Sequence, residues 1–422
     1  MTFPRYPAYK DSGVAWLGVI PAHWAVNRIK HVCAFVYGDA LIEDVRVNGD
    51  VQVFGSNGPI GLHNEANTTA PVIIVGRKGS HGKVTFSPNQ VFVIDTAYYI
   101  DERHTKYDIH WLYYTLLSLK LDSVSQDTGV PGLSREKAYA THLSLPLLAE
   151  QRAIAAFLDA ETARIDTLVA KQTALIATLQ EKRRALISHV VTKGLDPAAP
   201  MKDSGVPWLG AVPQHWEVKR LKHVTSFVTS GSRGWAEYYS DEGSIFLRIG
   251  NLTRDSVNLD LSDIQRVTPP DTSEGKRTLV QKNDVLVSIT ADIGSVAVVD
   301  ADIGEAYVNQ HLALTRPTSE VNPKWLGYCL FADSGKQQFI VSMNGGTKLG
   351  LGLDDVNNVS LLFPPLDEQA AIVAFIESET AQIDTLIAKA EEMSLLLREH
   401  RVALIAAAVT GQIDVRGWAA GV

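Results

Sequence analysis

Two stretches of the chain place apolar residues at the spacing of a coiled-coil helix. Apolar residues recur at Ile154, Leu158, Ile165, Leu168, Leu175, Leu179 and Leu186, with polar Glu161, Gln172 and Lys182 between them. The pattern returns at Ile372, Ile376, Ile383, Leu386, Met393, Leu397 and Leu404. Steps of three, four and seven predict two a/d seams of about five heptads each. Asp367, after Pro364 and Pro365, is a helix start, and Gly194 and Gly411 are stops. A helix of roughly 40 residues is about 60 Å long, too long to be buried in one small domain. Two such helices with matching seams predict pairing with each other. Each follows its own domain in the chain, so a two-fold arrangement runs them antiparallel.

The remaining segments read as mixed strand and helix. "APVIIVGRKGSHGKVTF", "QVFVIDTAYYI", "GSIFLRIGNL", "DVLVSITADIGSVAVV" and "AYVNQHLALT" are rich in β-branched and aromatic residues and bounded by Gly or Pro, as strands are. "HWLYYTLLSL" and "KWLGYCLFADSGKQQFIVSM" read as helices. The fold class is α+β.

The chain also repeats itself. "KDSGVAWLGVIPAHW" at Lys10 returns as "KDSGVPWLGAVPQHW" at Lys202, an offset of 192 residues (202 − 10). "LPLLAEQRAIAAFLDAETARIDTLVAK" at Leu145 returns as "FPPLDEQAAIVAFIESETAQIDTLIAK" at Phe363, an offset of 218 (363 − 145). The stretches between these blocks do not match. Two like frames thus hold two unlike inserts, and the period is far longer than that of a solenoid repeat. The expected division is a domain over 1–145, a long helix over 146–193, a linker over 194–201, a second domain over 202–362 and a second long helix over 363–412.

Length and composition agree with two domains: 422 residues, of which 45% are hydrophobic. No apolar run is long enough to span a bilayer, the N-terminus lacks the apolar core of a signal peptide, and a cytoplasmic location is expected. The two cysteines, Cys33 and Cys329, offer neither a disulfide framework nor a metal-binding spacing. The net charge of −8 speaks against a protein that coats nucleic acid non-specifically, yet it allows a local basic surface.

Common catalytic signatures are missing. There is no phosphate-binding loop, no H-E-x-x-H and no G-x-S-x-G. The twelve histidines do not cluster at ligand spacing, so neither a metal site nor a catalytic residue is assigned. Trp16 and Trp208 are expected to anchor the cores. Binding residues are better represented. "VGRKGSHGK" puts Arg77, Lys78, Ser80, His81 and Lys83 on one tight turn, and Ser56 and Asn57 lie between glycines nearby. In the second copy the matching turn carries Thr290 and Ser295, and Ser230, Ser232, Arg233, Arg248, Asn251 and Lys348 lie in polar loops. These are the residue types that hold phosphates and read base edges. They also suit a coiled-coil scaffold with two protein- or carbohydrate-binding domains, or a duplicated enzyme with an unfamiliar site.

The doubled "KDSGV-WLG--P-HW" frame, the "SNGPIG" element and the "LPLLAEQ"/"FPPLDEQ" starts of the long helices favour DNA reading among these. On them the chain resembles the specificity subunit of type I restriction–modification enzymes, over nearly its whole length. The resemblance implies two target-recognition domains, each reading half of a bipartite, asymmetric site in double-stranded DNA. Their helices would pair as an antiparallel coiled coil with pseudo-two-fold symmetry and set the half-site spacing. It further implies two methylation subunits carrying S-adenosylmethionine, and motor–nuclease restriction subunits using ATP and Mg²⁺. No cofactor is expected on this chain.

Overall fold

A computed structural model describes residues 3–124, 132–231, 233–270, 273–344 and 350–418. The chain forms two compact units: residues 1–173 with 392–422, and residues 174–391. Each unit therefore holds one domain together with part of both long helices.

The first unit opens with a hairpin of β1 (Tyr9–Asp11) and β2 (Val19–Pro21). The Asp11 carboxylate accepts from the Gly13 N–H at 2.9 Å and the Ser12 hydroxyl accepts from Val14 N–H at 3.1 Å, so side chains shape the loop. The loop turns Leu17 inward and leaves Trp16 51% exposed. In the second copy Trp208 is 42% exposed. Both were expected in the core. The anchors are instead the tryptophans that close each block, Trp24 and Trp216, which are fully enclosed.

β3 (Ala25–Arg28) is followed by β4 (Val36–Tyr37), β5 (Val51–Gly55), β6 (Gly58–His63), β7 (Val72–Gly76), β8 (Val84–Ser87), β9 (Phe92–Val93) and β10 (Ala97–Asp101). The central sheet has the order β4-β10-β7-β8, all antiparallel, and β6-β5-β9 form a second sheet. β7 and β10 are buried along their whole length, because both of their faces are covered. Ile73, Val75, Tyr98 and Ile100 face the core shared with α1 (Ile109–Ser118), while Val72, Ile74, Ala97 and Tyr99 pack with Phe54, Val91 and Val93. α2 (Arg135–Ala140) leads to β11 (His142–Leu145), which pairs with β3. The long helix α3 (Leu148–Lys193) follows.

The second unit repeats this plan. β12 (Met201–Asp203) and β13 (Ala211–Pro213) form the hairpin; β14 (Glu217–Arg220) and β15 (Thr225–Ser230) follow. The insert then holds β16 (Tyr239–Ser240), β17 (Ser244–Leu247), β18 (Gln265–Val267), α4 (Ser273–Thr278), β19 (Val285–Ser288), β20 (Val296–Val298), β21 (Ala306–Val308) and β22 (Leu312–Pro317). α5 (Pro323–Phe331), α6 (Asp333–Asn344), α7 (Leu353–Asn357), β23 (Ser360–Phe363) and α8 (Leu366–Val409) complete it. The central sheet has the equivalent order β15-β22-β19-β20, but the accessory sheet differs: four strands, β16-β18-β17-β21.

The repeated "EQ" pair at the start of each long helix fastens the helix to its domain. Trp24 Nε1 donates to Glu150 Oε2 at 3.2 Å, and His23 Nε2 lies 2.9 Å from the same oxygen. The buried Gln151 side chain accepts from the Asp108 N–H at 3.0 Å and donates to the Pro146 carbonyl at 2.9 Å. In the second unit Glu368 takes Trp216 and His215 at 3.1 and 2.8 Å, and Gln369 takes the Asn322 N–H and gives to the Pro364 carbonyl, both at 2.9 Å. Because the Trp24 indole is enclosed, Glu150→Ala leaves its N–H without an acceptor. The expected cost is about 1–3 kcal/mol of stability, read by denaturant unfolding of the variant against wild type.

The two long helices run antiparallel where they meet within each unit. In the first, the Ser144 hydroxyl donates to the Val409 carbonyl at 2.6 Å, and Asp166 pairs with Arg401 at 3.0 Å, so one chain rises as the other falls. In the second, Arg183 pairs with Asp384, and Ile187, Val190 and Val191 share a core with Ile372, Val373 and Ile376. The two ion pairs are images of each other under the 218-residue offset (384 − 166 and 401 − 183).

The seam differs from its expected course in the middle of each helix. Ile154, Leu158, Ile165, Leu179, Ile372, Ile376, Ile383 and Leu404 are buried, and Leu168, Leu186 and Leu397 are half-buried. Leu175, Leu386 and Met393 are exposed. Gln172 and Ile176 replace Leu175 on the inner face of α3, and Ile387, Ala390 and Ser394 replace Leu386 and Met393 on α8. The inner positions 383, 387, 390, 394, 397, 401 and 404 keep an unbroken alternation of four and three, which the larger apolar side chains do not.

Candidate nucleic-acid interface

The glycine-rich turn between β7 and β8 is closed by Gly82 N–H donating to the Gly76 carbonyl at 2.8 Å. Gly76 has no room for a side chain: a Cβ there would lie 2.1 Å from the Ser80 carbonyl oxygen. Beyond it, Arg77 N–H donates to Thr96 O at 2.9 Å and Arg77 O accepts from Leu133 N–H at 2.8 Å, which fixes the backbone from both sides. Lys83 Nζ donates to the Asn57 carbonyl and side-chain oxygens at 2.8 and 2.9 Å, tying the turn to the tip of the β5–β6 hairpin. His81 lies 3.2 Å from the Gly79 and Asp122 carbonyl oxygens. Ser56, Asn57, Arg77, Lys78, Ser80, His81 and Lys83 are thereby brought together, with Asn57, Lys78 and Lys83 exposed and the others half-buried.

Two residues not singled out from sequence complete this surface. The Arg77 guanidinium lies 5.1 Å from the centre of the Tyr37 ring, and that of Arg135 lies 4.9 Å from it. Tyr37 packs on Tyr98 at 4.9 Å between ring centres. Burial, and then a hydrogen bond with Tyr37, push the Tyr98 phenol up to about 12. Among the described residues neither Arg77, Lys78 nor Arg135 has a carboxylate partner. The arginine at the edge of the same sheet, Arg103, is engaged by Asp101. Burial opposes the Asp101 charge, but hydrogen bonds from Arg103 and Thr69 outweigh it and hold the carboxyl well below the usual range.

In the second unit the matching turn keeps the backbone pattern and changes the side chains. Gly294 N–H donates to Ser288 O at 3.0 Å, Ile289 N–H to His311 O at 3.0 Å, and Leu351 N–H to Ile289 O at 2.8 Å. Ile289, buried, thus stands where Arg77 stands in the first unit. Thr290 Oγ1 is 2.7 Å from His311 Nδ1 and half-buried. Ser295 is not a surface residue as expected: it is buried and donates to Asp292 Oδ2 at 2.8 Å. Burial disfavours the Asp292 charge, yet bonds from Arg254 and Ser295 hold its pKa below the ordinary value.

Asn251 is likewise withdrawn from solvent. Its oxygen accepts from the Arg248 N–H at 2.9 Å, and its amide donates to the Asp260 and Asp263 carbonyls at 2.8 and 2.9 Å, so it shapes a loop. Arg248 is half-buried and pairs with Asp263 at 3.2 Å. Ser230 ends β15, half-buried, and Arg233 is exposed just beyond it. Ser232 and Lys348 lie outside the described residues. Among the described residues no cluster of His, Cys, Asp and Glu could hold a metal, and no helix is long and apolar enough to cross a membrane. Both cysteines are buried, which pushes the Cys33 thiol up to about 12.

A profile of the type I restriction modification DNA specificity domain matches residues 21–177 and, a second time, residues 213–393. The chain belongs to this family. Each match takes in one insert and the first part of its long helix, so the doubled plan is a doubled DNA specificity domain. The chain is similar to the type I restriction enzyme EcoBI specificity subunit of Escherichia coli, with 24% identity over 360 residues, 82% of this chain and 74% of that protein. It is also similar to the MjaVIII specificity subunit of Methanocaldococcus jannaschii, with 23% identity over 347 residues, 80% of this chain and 78% of that protein. A chain from a solved structure concerned with complex assembly and conformational transition of the type I R-M system shares the fold: TM-score 0.68 at 16% identity, covering 92% of this chain and 98% of that one.

Proposed function

We propose that the chain is the DNA-recognition subunit of a type I restriction–modification complex that reads a bipartite, asymmetric target, one half per specificity domain. The observation that carries this reading is the pair of matching turns. Backbone bonds around Arg77 and Ile289 are the same, while the side chains on them are not. One scaffold presented twice with unlike side chains suits two readers of unlike half-sites. In this reading the chain is not itself catalytic and holds no cofactor. Methylation with S-adenosylmethionine belongs to two methylation subunits, and ATP- and Mg²⁺-dependent cleavage to motor–nuclease subunits, in the cytoplasm. Leu386, Met393, Leu395, Leu396 and Val402 are exposed on α8, apolar side chains available to further protein partners.

The purified chain, given duplex DNA, S-adenosylmethionine, ATP and Mg²⁺, is expected to show no turnover. With methylation subunits added, affinity for target duplex should fall linearly in log Kd against log salt, as phosphate neutralisation requires. Methylation or cleavage by the chain alone would overturn the division of labour. Salt-independent binding would overturn the DNA reading.

A further inference from the structure

We propose that Tyr37, Arg77 and Arg135 form a base-reading site of the first domain, and that the base it reads is guanine. The proposal rests on the DNA-reading function above and names the residues that carry part of it.

Three observations lead to it. The first is that the site belongs to one copy only. Tyr37 pairs with Tyr98 across the β4–β10 ladder, and the matching position of the second unit, opposite Ala313, is the half-buried Ser230. Arg77 is replaced by buried Ile289. Arg135 opens α2 where Leu353 opens α7. One backbone position after another carries a cation or an aromatic ring in the first domain and an uncharged residue in the second. A group needed for holding phosphates at both half-sites would be expected in both domains. A group present in one is suited to sequence reading.

The second observation is charge. Among the described residues the two guanidinium groups have no carboxylate partner, and Arg77 Nε has no hydrogen-bond partner although it is shielded from solvent. In the second unit Arg248 pairs with Asp263, Arg254 with Asp292 and Arg316 with Asp284; Arg46 of the first insert, also without a carboxylate partner among the described residues, donates to the Ile60 carbonyl at 3.1 Å. An arginine left unpaired in an acidic protein has donors available for a ligand.

The third is geometry. Both guanidinium groups lie beside the exposed Tyr37 ring, at 5.1 and 4.9 Å, and Tyr98 packs against that ring. Stacking of this kind fixes the plane of the guanidinium and reduces the entropy lost when it binds. A planar fork with two parallel N–H donors matches guanine O6 and N7 in the major groove, and no other base presents two acceptors side by side there.

The test uses the whole chain assembled with its methylation subunits and a DNA library randomised over both half-sites. Arg77 and Arg135 are each changed to Lys and to Ala, and thermal unfolding is followed for every variant. The Lys variants keep the charge and the aliphatic stem, so they decide the matter even where an Ala variant unfolds. Expected is a loss of guanine preference at one position of the first domain's half-site, by about 5- to 150-fold, in the Lys as well as the Ala variants. The other half-site should be unchanged. The proposal is overturned if Lys variants retain the guanine and Ala variants weaken all sequences alike, with a shallower salt slope; the arginines would then hold phosphate. It is equally overturned if every folded variant keeps the wild-type motif and affinity. A wild-type complex that selects no bipartite motif would instead refute the functional reading beneath it.

Discussion

Replacing residues 33–141 with the corresponding insert of a relative that reads another target is expected to change one half of the methylated motif and leave the other intact. The exchange keeps several of the contacts that fasten the domain to the helices, while those of α1 with Asp159 and Thr162 must come from the new insert. β11 still pairs with β3, and Ser144 still donates to Val409. Glu150 retains His23 and Trp24. Gln151 needs only a backbone N–H at position 108, which any insert with a helix at that place supplies. The recognition surface around Arg77 lies wholly within the exchanged segment. Each mismatched base pair costs about 1–3 kcal/mol, so a half-site altered at two or three positions is discriminated by orders of magnitude. Sequencing of methylated sites reads the result. A change in both halves, or in neither, would mean that the domains do not read independently.

Removing one heptad from the middle of α3 and one from the middle of α8 is expected to shorten the preferred spacer between half-sites. The seam stays in phase, because a whole repeat is lost from each helix. The contacts that hold each helix to its own domain lie near the helix ends and are untouched. Seven residues amount to about 10 Å of helix, and at about 3.4 Å per base pair the spacer should shrink by up to ~3 base pairs. Three base pairs also rotate one half-site by roughly 100°, whereas the heptad deletion turns a domain by only about 20°. The rotations do not cancel, so affinity should fall even at the new optimum. Deleting a number of residues outside the heptad step would misalign the seam and destabilise the protein. Selection from a spacer library measures the preferred length. An unchanged spacer in a folded, active complex would show that the helices do not set it.

The long helices and the duplication were legible in the sequence because both are periodic. The fine course of the seam was not. Hydrophobicity favoured Leu175, Leu386 and Met393, but the inner face follows geometry and takes Gln172, Ala390 and Ser394. Trp16 and Trp208 failed for a related reason: a large apolar residue was assigned to the core when the hairpin loop in fact turns it outward and buries the next leucine. The basic turn at 76–83 was readable from its glycines and cations. Its neighbours Tyr37 and Arg135 were not, since they come from distant segments brought together by the sheet, by Leu133 and by the Tyr139 hydroxyl, which accepts from the Phe35 N–H. The repeat held a usable signal. Lys348 was singled out in the second copy, five residues before the Leu353 that matches Arg135. Asn251 and Ser295 show the opposite error. Small polar residues read as binding groups are consumed by backbone carbonyls and by Asp292.

The most direct test of the account is to map methylated bases across the genome of a strain expressing this chain with its partner subunits. Two unlike domains on paired helices predict a single motif of two different specified halves separated by a fixed run of unspecified bases. A continuous motif, a palindrome, or methylation with no motif that depends on this chain would contradict it.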